Sequence, residues 1–314
     1  MSKMDKLIYL NGKMVTEEKA NVSIFDIGFM YGATFMEAVR TFNHEYFKLS
    51  EHLERLEKSL IYAGIGSIFN KIELESIMNI VLETNTKFID KEDDSWVCIN
   101  VTPGIGFPHP LMKQKSSRPT IVAYSSELPY EEYYKYYSEG KSAITPNIRN
   151  IPPQCMDPRC KTRSRFHYFI AKREALTIDP GSFAILLDIN GNITESSGSN
   201  FFIVSKNALY TADRQNILNG ISRQTVIELA CEIGVPVYER DISLYDVYSA
   251  DEAFFTTTSY CMLPVSRLNG ISIGNEIPGC LTKRLLCLWS EKVGVDIVGQ
   301  AEKFGKMKEK KANE

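Results

Sequence analysis

A turn followed at once by a helix in the second half of the chain could bind a phosphate. In LNGISRQTVIELACEIG the Asn219-Gly220 pair predicts a tight turn, and Ser222 is placed to cap an amphipathic helix. The first turn of a helix offers backbone N–H groups at the positive end of its dipole, which suits a phosphate. The alternative is an ordinary capped helix that binds nothing.

Two further stretches place polar groups at strand ends. Glu195 ends a predicted strand in DINGNITESSGSNFFIV and precedes the small residues 196–199, against which a flat ring could lie. A carboxylate beside a pyridine nitrogen would keep that nitrogen protonated. In FFTTTSY, residues 254–260, four successive hydroxyls could add donors to a phosphate. The alternatives are a surface glutamate in a loop and an ordinary threonine-rich strand.

Turn residues and hydrophobic spacing predict the elements that must position these groups. Asn-Gly pairs at 11–12 and 190–191 stand between β-rich runs and predict hairpins, and a third hairpin is expected around 43–44. Ser50 is expected to cap a helix whose Leu53, Leu56 and Leu60 share one face. Further helices are expected at 71–84, 165–177, 222–233 and 281–292, and strands at 96–101, 120–124, 201–204 and 252–257.

A change of composition divides the chain. The segment 127–137, ELPYEEYYKYY, is polar and rich in tyrosine, and it predicts a linker between a small N-terminal domain (1–126) and a large C-terminal domain (138–314). Hairpins rather than a strict alternation of strands and helices predict an α+β fold. The chain has neither a dinucleotide-binding glycine motif after a strand nor a P-loop, so the common nucleotide folds are unsupported.

Bulk properties argue against several classes of protein. A formal net charge of -3 over 314 residues does not suggest a surface for nucleic acid or for an anionic membrane. Neither a signal peptide nor an apolar run of transmembrane length is present. The basic run Lys306–Lys311 is expected to be a solvated, frayed tail. Seven scattered cysteines fit a reducing cytoplasm, and four histidines without a zinc pattern argue against a metal site.

A series of stretches, taken in order, gives the chain a resemblance to a known family. They are YLNGKMV, MYGATFMEAVR, LSEHLERL, KTRSRFHYFIAKREA, GNITESSGSNFFIV, LNGISRQTVIELA, ADEAFFTTTSYCMLPV and TKRL. Together they resemble the fold-type IV enzymes that use pyridoxal 5′-phosphate (PLP), which include branched-chain aminotransferases, D-amino-acid aminotransferases and aminodeoxychorismate lyases. The resemblance implies a smaller N-terminal α/β domain and a larger, antiparallel β-rich domain that binds PLP and carries flanking helices.

The same resemblance implies roles for residues that match the family's motifs. Lys161 matches the Schiff-base lysine, Glu195 the acid at the pyridine nitrogen, and Arg55 the arginine that binds the phosphate. The remaining cofactor matches are the N–H groups of Ile221 and Ser222, the hydroxyl of Thr258, Leu218, and Asn200 with a structural role in its loop.

Elementary chemistry is consistent with these roles. Arg163 and Arg165 adjoin Lys161 in KTRSR, and a lysine with cationic neighbours loses its proton more easily. A neutral amine is what imine formation needs, and the same amine could later carry a proton at the α-carbon of the substrate. Arg55 could bind a phosphate through two parallel N–H groups, which a lysine could not do equally well.

The chain departs from the family where the carboxylate of the substrate is usually anchored. Trp96 and Cys98 match a tyrosine and an arginine of the branched-chain enzymes, Pro103 matches an arginine of the D-amino-acid enzyme, and Phe166 replaces a tyrosine that contacts the cofactor. The candidate residues for the substrate are Arg163, Arg165, Arg149, the backbone at Thr258 and Ser259, Tyr31 from the family match, and an apolar wall of Met36 and Trp96.

The implied activity is that of an aminotransferase that exchanges an amino group between a hydrophobic amino acid and a 2-oxo acid. Glu37 and Arg40 match a stretch typical of the aminotransferases, and the lyases usually lack that acid. A lyase, an amine transaminase whose donors lack an α-carboxylate, and a PLP-binding module without activity are the alternatives. Intact Lys161, Glu195 and Arg55 argue against the last. The resemblance also implies a homodimer, with 127–137 and 104–112 as candidate contacts across the subunits.

Overall fold

Two compact units make up the protein. The structure is a computed structural model that describes residues 6–66, 69–105 and 118–313. The first unit comprises Met1–Leu128 and the short segment Cys160–Arg165, and the second comprises Pro129–Arg159 and Phe166–Glu314. The chain therefore leaves the first unit near Leu128 and returns to it once. Of the predicted contact loop 104–112, residues 106–112 lie outside the described part of the chain.

An antiparallel sheet is the base of the first unit. Its strands are β1 (Ile8–Leu10), β2 (Lys13–Val15), β3 (Phe35–Phe42), β4 (Glu45–Tyr46), β5 (Ser95–Ile105) and β6 (Arg118–Glu127), and its helices are α1 (Ile27–Tyr31), α2 (Leu49–Tyr62) and α3 (Lys71–Thr86). The strand order is β2-β1-β6-β5-β3-β4. The hairpins predicted at 11–12 and 43–44 are confirmed, because β1 pairs with β2 and β3 with β4.

Helix α2 covers one face of this sheet. Leu53, Leu56 and Leu60 are fully buried against Phe35 and Val39 of β3, as their spacing predicts. This face is the apolar core of the first unit, and burial of such side chains stabilises it by about 2 kcal/mol each.

The start of α2 differs from the prediction. The helix begins at Leu49, after Lys48, whose left-handed backbone (φ 56°) turns the chain, and no side chain caps it. Ser50 is therefore inside the helix, where its hydroxyl donates to Glu54 at 3.4 Å, and its assignment as the N-cap is wrong. Lysine is not one of the residues preferred at an N-cap, so the sequence does not indicate that α2 begins after Lys48.

The returning segment 160–165 runs alongside β3. Thr162 forms an antiparallel bridge with Phe35, the N–H of Met36 donates to the carbonyl of Lys161 at 3.1 Å, and the N–H of Arg163 donates to Thr34 at 2.8 Å. Side chains alternate along an extended segment, and directly paired residues share a face. The side chains of Lys161 and Arg163 therefore lie on the face of Met36, opposite the core.

A larger sheet is the base of the second unit. Its strands are β7 (Lys141–Ile144), β8 (Phe183–Leu187), β9 (Ile193–Ser196), β10 (Asn200–Ser205), β11 (Ala208–Thr211), β12 (Val237–Glu239), β13 (Glu252–Thr257), β14 (Cys261–Leu268) and β15 (Ile271–Ser272). Its helices are α4 (Tyr136–Glu139), α5 (Phe166–Ile178), α6 (Ile221–Glu232), α7 (Leu244–Tyr248), α8 (Cys280–Val293) and α9 (Ile297–Asn313). In the described residues, no helix is long and apolar enough to cross a membrane.

The path of this sheet closes on itself. The order is β12-β11-β10-β13-β14-β7-β8-β9, and β9 pairs again with β10 through Glu195 and Asn200. The predicted hairpin at 190–191 is confirmed by the pairing of β8 with β9. Pairing is mostly antiparallel, as expected, but β7 is parallel to both β8 and β14, and β11 is parallel to β12. A parallel pair needs a long crossover, and the crossover from β7 to β8 contains α5.

The predicted frayed tail is wrong. Residues Lys306–Lys311 lie in α9, where buried Phe304 stacks on Tyr130 with ring centroids 5.7 Å apart. Glu309 pairs with Lys135 at 2.6 Å and accepts a hydrogen bond from Tyr134 at 2.8 Å. The basic run by itself does not indicate a packed helix. The apolar contacts of α9 come from Ile297, Ala301 and Phe304, which lie earlier in the helix on one face.

The tyrosine-rich segment differs from the prediction of a linker. Tyr130, Tyr133 and Tyr137 are buried within the second unit, and the hydroxyl of Tyr137 donates to the carbonyl of Tyr260 at 2.7 Å. A tyrosine can bury its ring while its hydroxyl keeps a polar partner, so a polar composition does not imply exposure. The division of the chain falls at Leu128, at the beginning of this segment.

Candidate active site

A buried ionic cluster lies between β3 and α2 in the first unit. Strand alternation places Glu37 on the face of Phe35 and Val39, and its side chain is fully buried. Arg55 Nε and Nη2 donate to the two oxygens of Glu37 at 2.6 and 2.8 Å, and His52 Nδ1 lies 2.8 Å from Oε2. His52 and Arg55 are one helical turn apart, which brings both to the same carboxylate.

The charges in this cluster are fixed by their surroundings. Burial alone would raise the pKa of Glu37, but the charge of Arg55 and the hydrogen bond from His52 outweigh it and hold the pKa well below its usual range. Burial lowers the pKa of His52 against the opposing effect of Glu37. The cluster is therefore a carboxylate and a guanidinium with a neutral imidazole, and Glu37 fixes the orientation of the Arg55 guanidinium.

Lys161 lies next to this cluster. Its backbone N–H donates to the hydroxyl of Ser59 on α2 at 3.3 Å. After the effect of burial, the charge of Lys161 is one of the influences that lower the pKa of His52, and it also acts on Cys98. The backbone of Lys161 thus lies against α2, the helix that carries His52 and Arg55.

The guanidinium of Arg163 lies on the opposite face of the sheet from Glu37. Its Nε donates to Asn100 Oδ1 at 3.0 Å, and its Nη2 lies 3.3 Å from Cys98 Sγ and 3.5 Å from the oxygen of Tyr124. Burial raises the pKa of Tyr124 to about 12, so this partner is a neutral phenol near pH 7. We call Cys98, Asn100 and Tyr124 the platform.

An apolar surface adjoins the platform. Buried Met36, Ala38 and Cys98 form a cluster with half-buried Trp96 and Tyr124. Met36 was predicted as part of an apolar wall for the substrate, and the structure places it beside the platform because Met36 pairs with Asn100 across β3 and β5. Trp96, also predicted, is two residues from Cys98 on the same face of β5.

Three further residues were predicted for the substrate site. Arg165 is the last residue of the segment, and its backbone N–H donates to the carbonyl of Arg163 at 2.7 Å. Tyr31 ends α1 with its side chain largely exposed, at 61%. Arg149 belongs to the second unit, where its backbone bridges to Leu187.

In the second unit, three donors hold the carboxylate of Glu195. The hydroxyl of Tyr168 donates to Oε1 at 2.9 Å, and Asn200 Nδ2 and the N–H of Leu218 donate to Oε2 at 3.0 and 3.2 Å. Asn200 also donates to the carbonyl of Leu218 at 3.0 Å, which ties the strand end to the turn before α6. Glu195 is buried, with 5% of its surface exposed, so the alternative of a surface glutamate is wrong.

The turn before α6 presents backbone N–H groups. Gly220 is the N-cap, and no side chain caps the helix, so the assignment of Ser222 as its cap is wrong. A Cβ atom on Gly220 would collide with Asn200 Oδ1, which explains the glycine. The N–H groups of Ile221 and Ser222 belong to the first turn and have no acceptor within their own helix.

The four hydroxyl residues 256–259 lie at the end of β13 and in the turn that follows it, and they fall into two groups. Thr256 donates to the carbonyl of Cys261 within the local turn, and Thr257 donates to the carbonyl of Gly198 between β9 and β10, each at 2.6 Å. Thr258 and Ser259 follow in that turn and are half-buried. Only the latter pair therefore stays a candidate for ligand contacts.

The donor set fits PLP. The cofactor has an aldehyde, a phosphate and a pyridine nitrogen. The first unit supplies a lysine and an oriented guanidinium, and the second unit supplies helix N–H groups and a fixed carboxylate, which are the kinds of group that PLP needs. Among the described residues, no group of three or more His, Cys, Asp or Glu side chains could hold a metal ion.

Comparisons with known proteins agree with this chemistry. The family described as amino-transferase class IV matches residues 34–268. The chain is 36% identical over 279 residues to a putative branched-chain-amino-acid aminotransferase of Methanocaldococcus jannaschii, covering 88% of this chain and 93% of the relative. It is 29% identical to the D-alanine aminotransferase of Bacillus licheniformis, with coverage of 88% and 94%.

A solved structure extends the similarity to the fold. The branched-chain aminotransferase of the archaeon Thermoproteus uzoniensis, solved with norvaline, has a TM-score of 0.78 and 26% identity, with coverage of 95% of this chain and 96% of that one. The chain therefore belongs to the class IV aminotransferase family. The predictions of a fold-type IV fold and of a transaminase are confirmed.

Sequence reasoning missed several residues of the site. His52 is a partner of Glu37, Tyr168 is a partner of Glu195, and Asn100 and Tyr124 support Arg163. Alternation on β5 could have indicated Asn100, which is two residues from Cys98 and shares its face. Tyr124 needed the register of β5 and β6, which pairs it with Cys98 and which the sequence does not state.

Proposed function

We propose that this transaminase holds PLP through Lys161 and transfers an amino group between a hydrophobic amino acid and a 2-oxo acid. The observation that carries the proposal is the buried carboxylate of Glu195, fixed by Tyr168, Asn200 and the Leu218 N–H. A buried carboxylate costs free energy unless a partner compensates it, and a protonated pyridine nitrogen is a suitable partner.

Each of the other residues has a distinct proposed role. Arg55, oriented by Glu37, and the N–H groups of Ile221 and Ser222 hold the phosphate, with the Thr258 hydroxyl as a further donor. When bound, PLP takes up the electron pair that remains at the substrate's α-carbon after its proton leaves. With PLP and a substrate bound, Lys161 Nζ would accept that proton and hold it for its return.

An aminodeoxychorismate-type lyase is the second candidate. Glu37 favours the aminotransferase, because the lyases usually lack an acid at this position. Here that acid is ionised and engages Arg55 through both oxygens, so it is an integral part of the cluster.

A donor screen tests the proposed function. With 2-oxoglutarate or pyruvate as acceptor, we expect hydrophobic amino acids to yield the matching 2-oxo acid, because Met36, Ala38 and Trp96 offer an apolar wall. Both enantiomers of each donor are compared, since the chirality of the donor is open. Release of pyruvate from aminodeoxychorismate without any 2-oxo acid from the amino acids would favour the lyase instead.

We further propose a homodimer, which the exposed surface of the first unit supports. Large apolar side chains are exposed in and just before α1, namely Val22, Ile24, Phe25, Phe29, Met30 and Tyr31. Exposed apolar residues in such a group are typical of protein interfaces. Light scattering of the holoenzyme should give twice the chain mass of 35.6 kDa.

A matched pair of variants makes the dimer prediction specific. Phe29→Ser should shift the mass toward that of the single chain, because Phe29 is 74% exposed within the apolar group. Ile72→Ser, at an equally exposed position on α3, should leave the dimer intact. A monomeric parent with full activity would contradict the proposal.

A further inference from the structure

The guanidinium of Arg163 has no counter-ion among the residues that the structure describes. None of the described carboxylates forms an ion pair with it, and its three hydrogen bonds go to the neutral groups of the platform. The chain treats two other buried guanidinium groups differently, since Arg55 pairs with Glu37 at 2.6 Å and Arg223 with Glu239 at 2.7 Å. A partly buried charge is costly without an opposite charge, so the site favours an anion.

The hydrogen bonds of Arg163 leave one edge of the guanidinium available. Arginine has five N–H donors, and the platform takes the one on Nε and the two on Nη2. In the described part of the chain, the two on Nη1 have no acceptor. Three bonds also fix the plane of the group, so each N–H of Nη1 points in a set direction and can donate to a carboxylate oxygen.

The position of Arg163 matches what a substrate anchor needs. Arg163 and Lys161 are two residues apart in the extended segment that pairs with β3, so their side chains lie on the same face. Met36, Ala38 and Trp96 lie beside the platform on that face. One surface of the first unit thus combines the lysine, an apolar wall and a guanidinium that pairs with none of the described carboxylates.

We propose that Arg163 Nη1 binds the α-carboxylate of the substrate, while Met36, Ala38 and Trp96 receive its hydrophobic side chain. This inference rests on the proposed function. The proposed role of Arg163 explains why Cys98 stands where the branched-chain enzymes have an arginine. Arg163 Nη2 lies 3.3 Å from Cys98 Sγ. A second guanidinium at position 98 would therefore compete for the same space and repel the first. Arg163, rather than Arg165, is the residue that replaces the missing anchor.

The test compares two donors that differ only in the carboxylate. Leucine and 3-methylbutan-1-amine share a side chain, and kcat/KM is measured for both with the holoenzyme and with Arg163→Met. We expect kcat/KM for leucine to fall on the order of 30- to 3,000-fold, the range typical for loss of one partner of a buried ionic contact. The value for the amine should stay within about threefold, because the amine makes no such contact.

A binding measurement gives a readout independent of turnover. 4-Methylpentanoate keeps the carboxylate and the side chain but has no amine, and calorimetry of the holoenzyme yields its Kd. Arg163→Met should weaken this Kd by a similar factor and keep the visible absorbance of the bound cofactor. Arg159→Met is the matched control, because Arg159 is exposed and pairs with Asp157 at 2.6 Å. It should retain the parental Kd and kcat/KM.

Several outcomes would overturn the inference while the proposed function stands. These are an active parent that prefers the plain amine, parental kcat/KM for leucine in Arg163→Met, and a loss confined to Arg165→Met. Failure of the proposed function looks different, because the parent would then give no 2-oxo acid from any donor.

If Arg163→Met does not fold, Arg163→Lys serves instead. It keeps the charge but loses platform contacts, so its preference for leucine over the amine should fall about tenfold, and an unchanged preference would contradict the proposal.

Discussion

Replacing Lys161 with alanine is expected to lower the transamination rate by about three to four powers of ten, since the residue has two proposed tasks, holding the cofactor and moving the α-proton. In the structure the backbone of Lys161 contacts α2, the helix that carries His52 and Arg55, and its side chain lies on the face of the sheet that carries Arg163. Single-turnover kinetics with leucine and absorbance spectra of the two proteins would measure the effect.

Borohydride reduction identifies the lysine directly. In the parent, reduction should attach the cofactor irreversibly to Lys161, and peptide mapping should locate it there. Lys172→Ala is the matched control, because Lys172 is an exposed lysine on α5 and should be dispensable. An adduct mapped to any other lysine would show that the assignment is wrong.

The Glu195→Gln variant is expected to lose about two or more powers of ten in rate and to keep the cofactor. Glutamine has nearly the same shape, so Asn200 and the Leu218 N–H can still donate to its oxygen and its amide can donate to Tyr168, whereas the negative charge is gone. Without that charge the pyridine nitrogen is less readily protonated, and the α-carbanion loses stabilisation. Rates and cofactor content are measured on the same preparations.

Two comparisons make this result interpretable. Glu232→Gln removes a carboxylate from the surface, where Glu232 pairs with Lys292 at 3.0 Å, and it should leave the rate unchanged. Tyr168→Phe removes one donor to Glu195 and keeps the charge, so its loss should be smaller than that of Glu195→Gln. A Glu195→Gln protein with bound cofactor and a nearly parental rate would rule out the proposed role of the charge.

Local patterns of the sequence predicted the elements that carry the site, whereas long-range pairing had to come from the structure. The Asn-Gly turns and the spacing of Leu53, Leu56 and Leu60 depend on neighbouring residues alone, and those predictions are confirmed. The two incorrect N-caps, Ser50 and Ser222, lie one or two residues inside their helices. In both cases the helix begins before the serine that the sequence suggests as its N-cap.

The residues of the candidate site show the same contrast between what the sequence predicts and what only the structure shows. A resemblance of motifs singled out Lys161, Arg55 and Glu195, but the partners of these residues come from other elements. His52 meets Glu37 across the interface of α2 and β3, and Tyr168 reaches Glu195 from α5. Arg163 was one of several candidates for the anchor, and only its contacts with the platform distinguished it from Arg165.

The return of the segment 160–165 to the first unit bears on how this enzyme could be recombined with relatives. The first unit is discontinuous in sequence, because Thr162 pairs with Phe35 of β3 although 126 other residues separate them. A chimaera joined at Leu128 would therefore combine a native β3 and platform with a foreign lysine segment. A chimaera that is to keep the substrate specificity of the first unit must therefore include 160–165 as a second insert, together with the platform residues that bind Arg163.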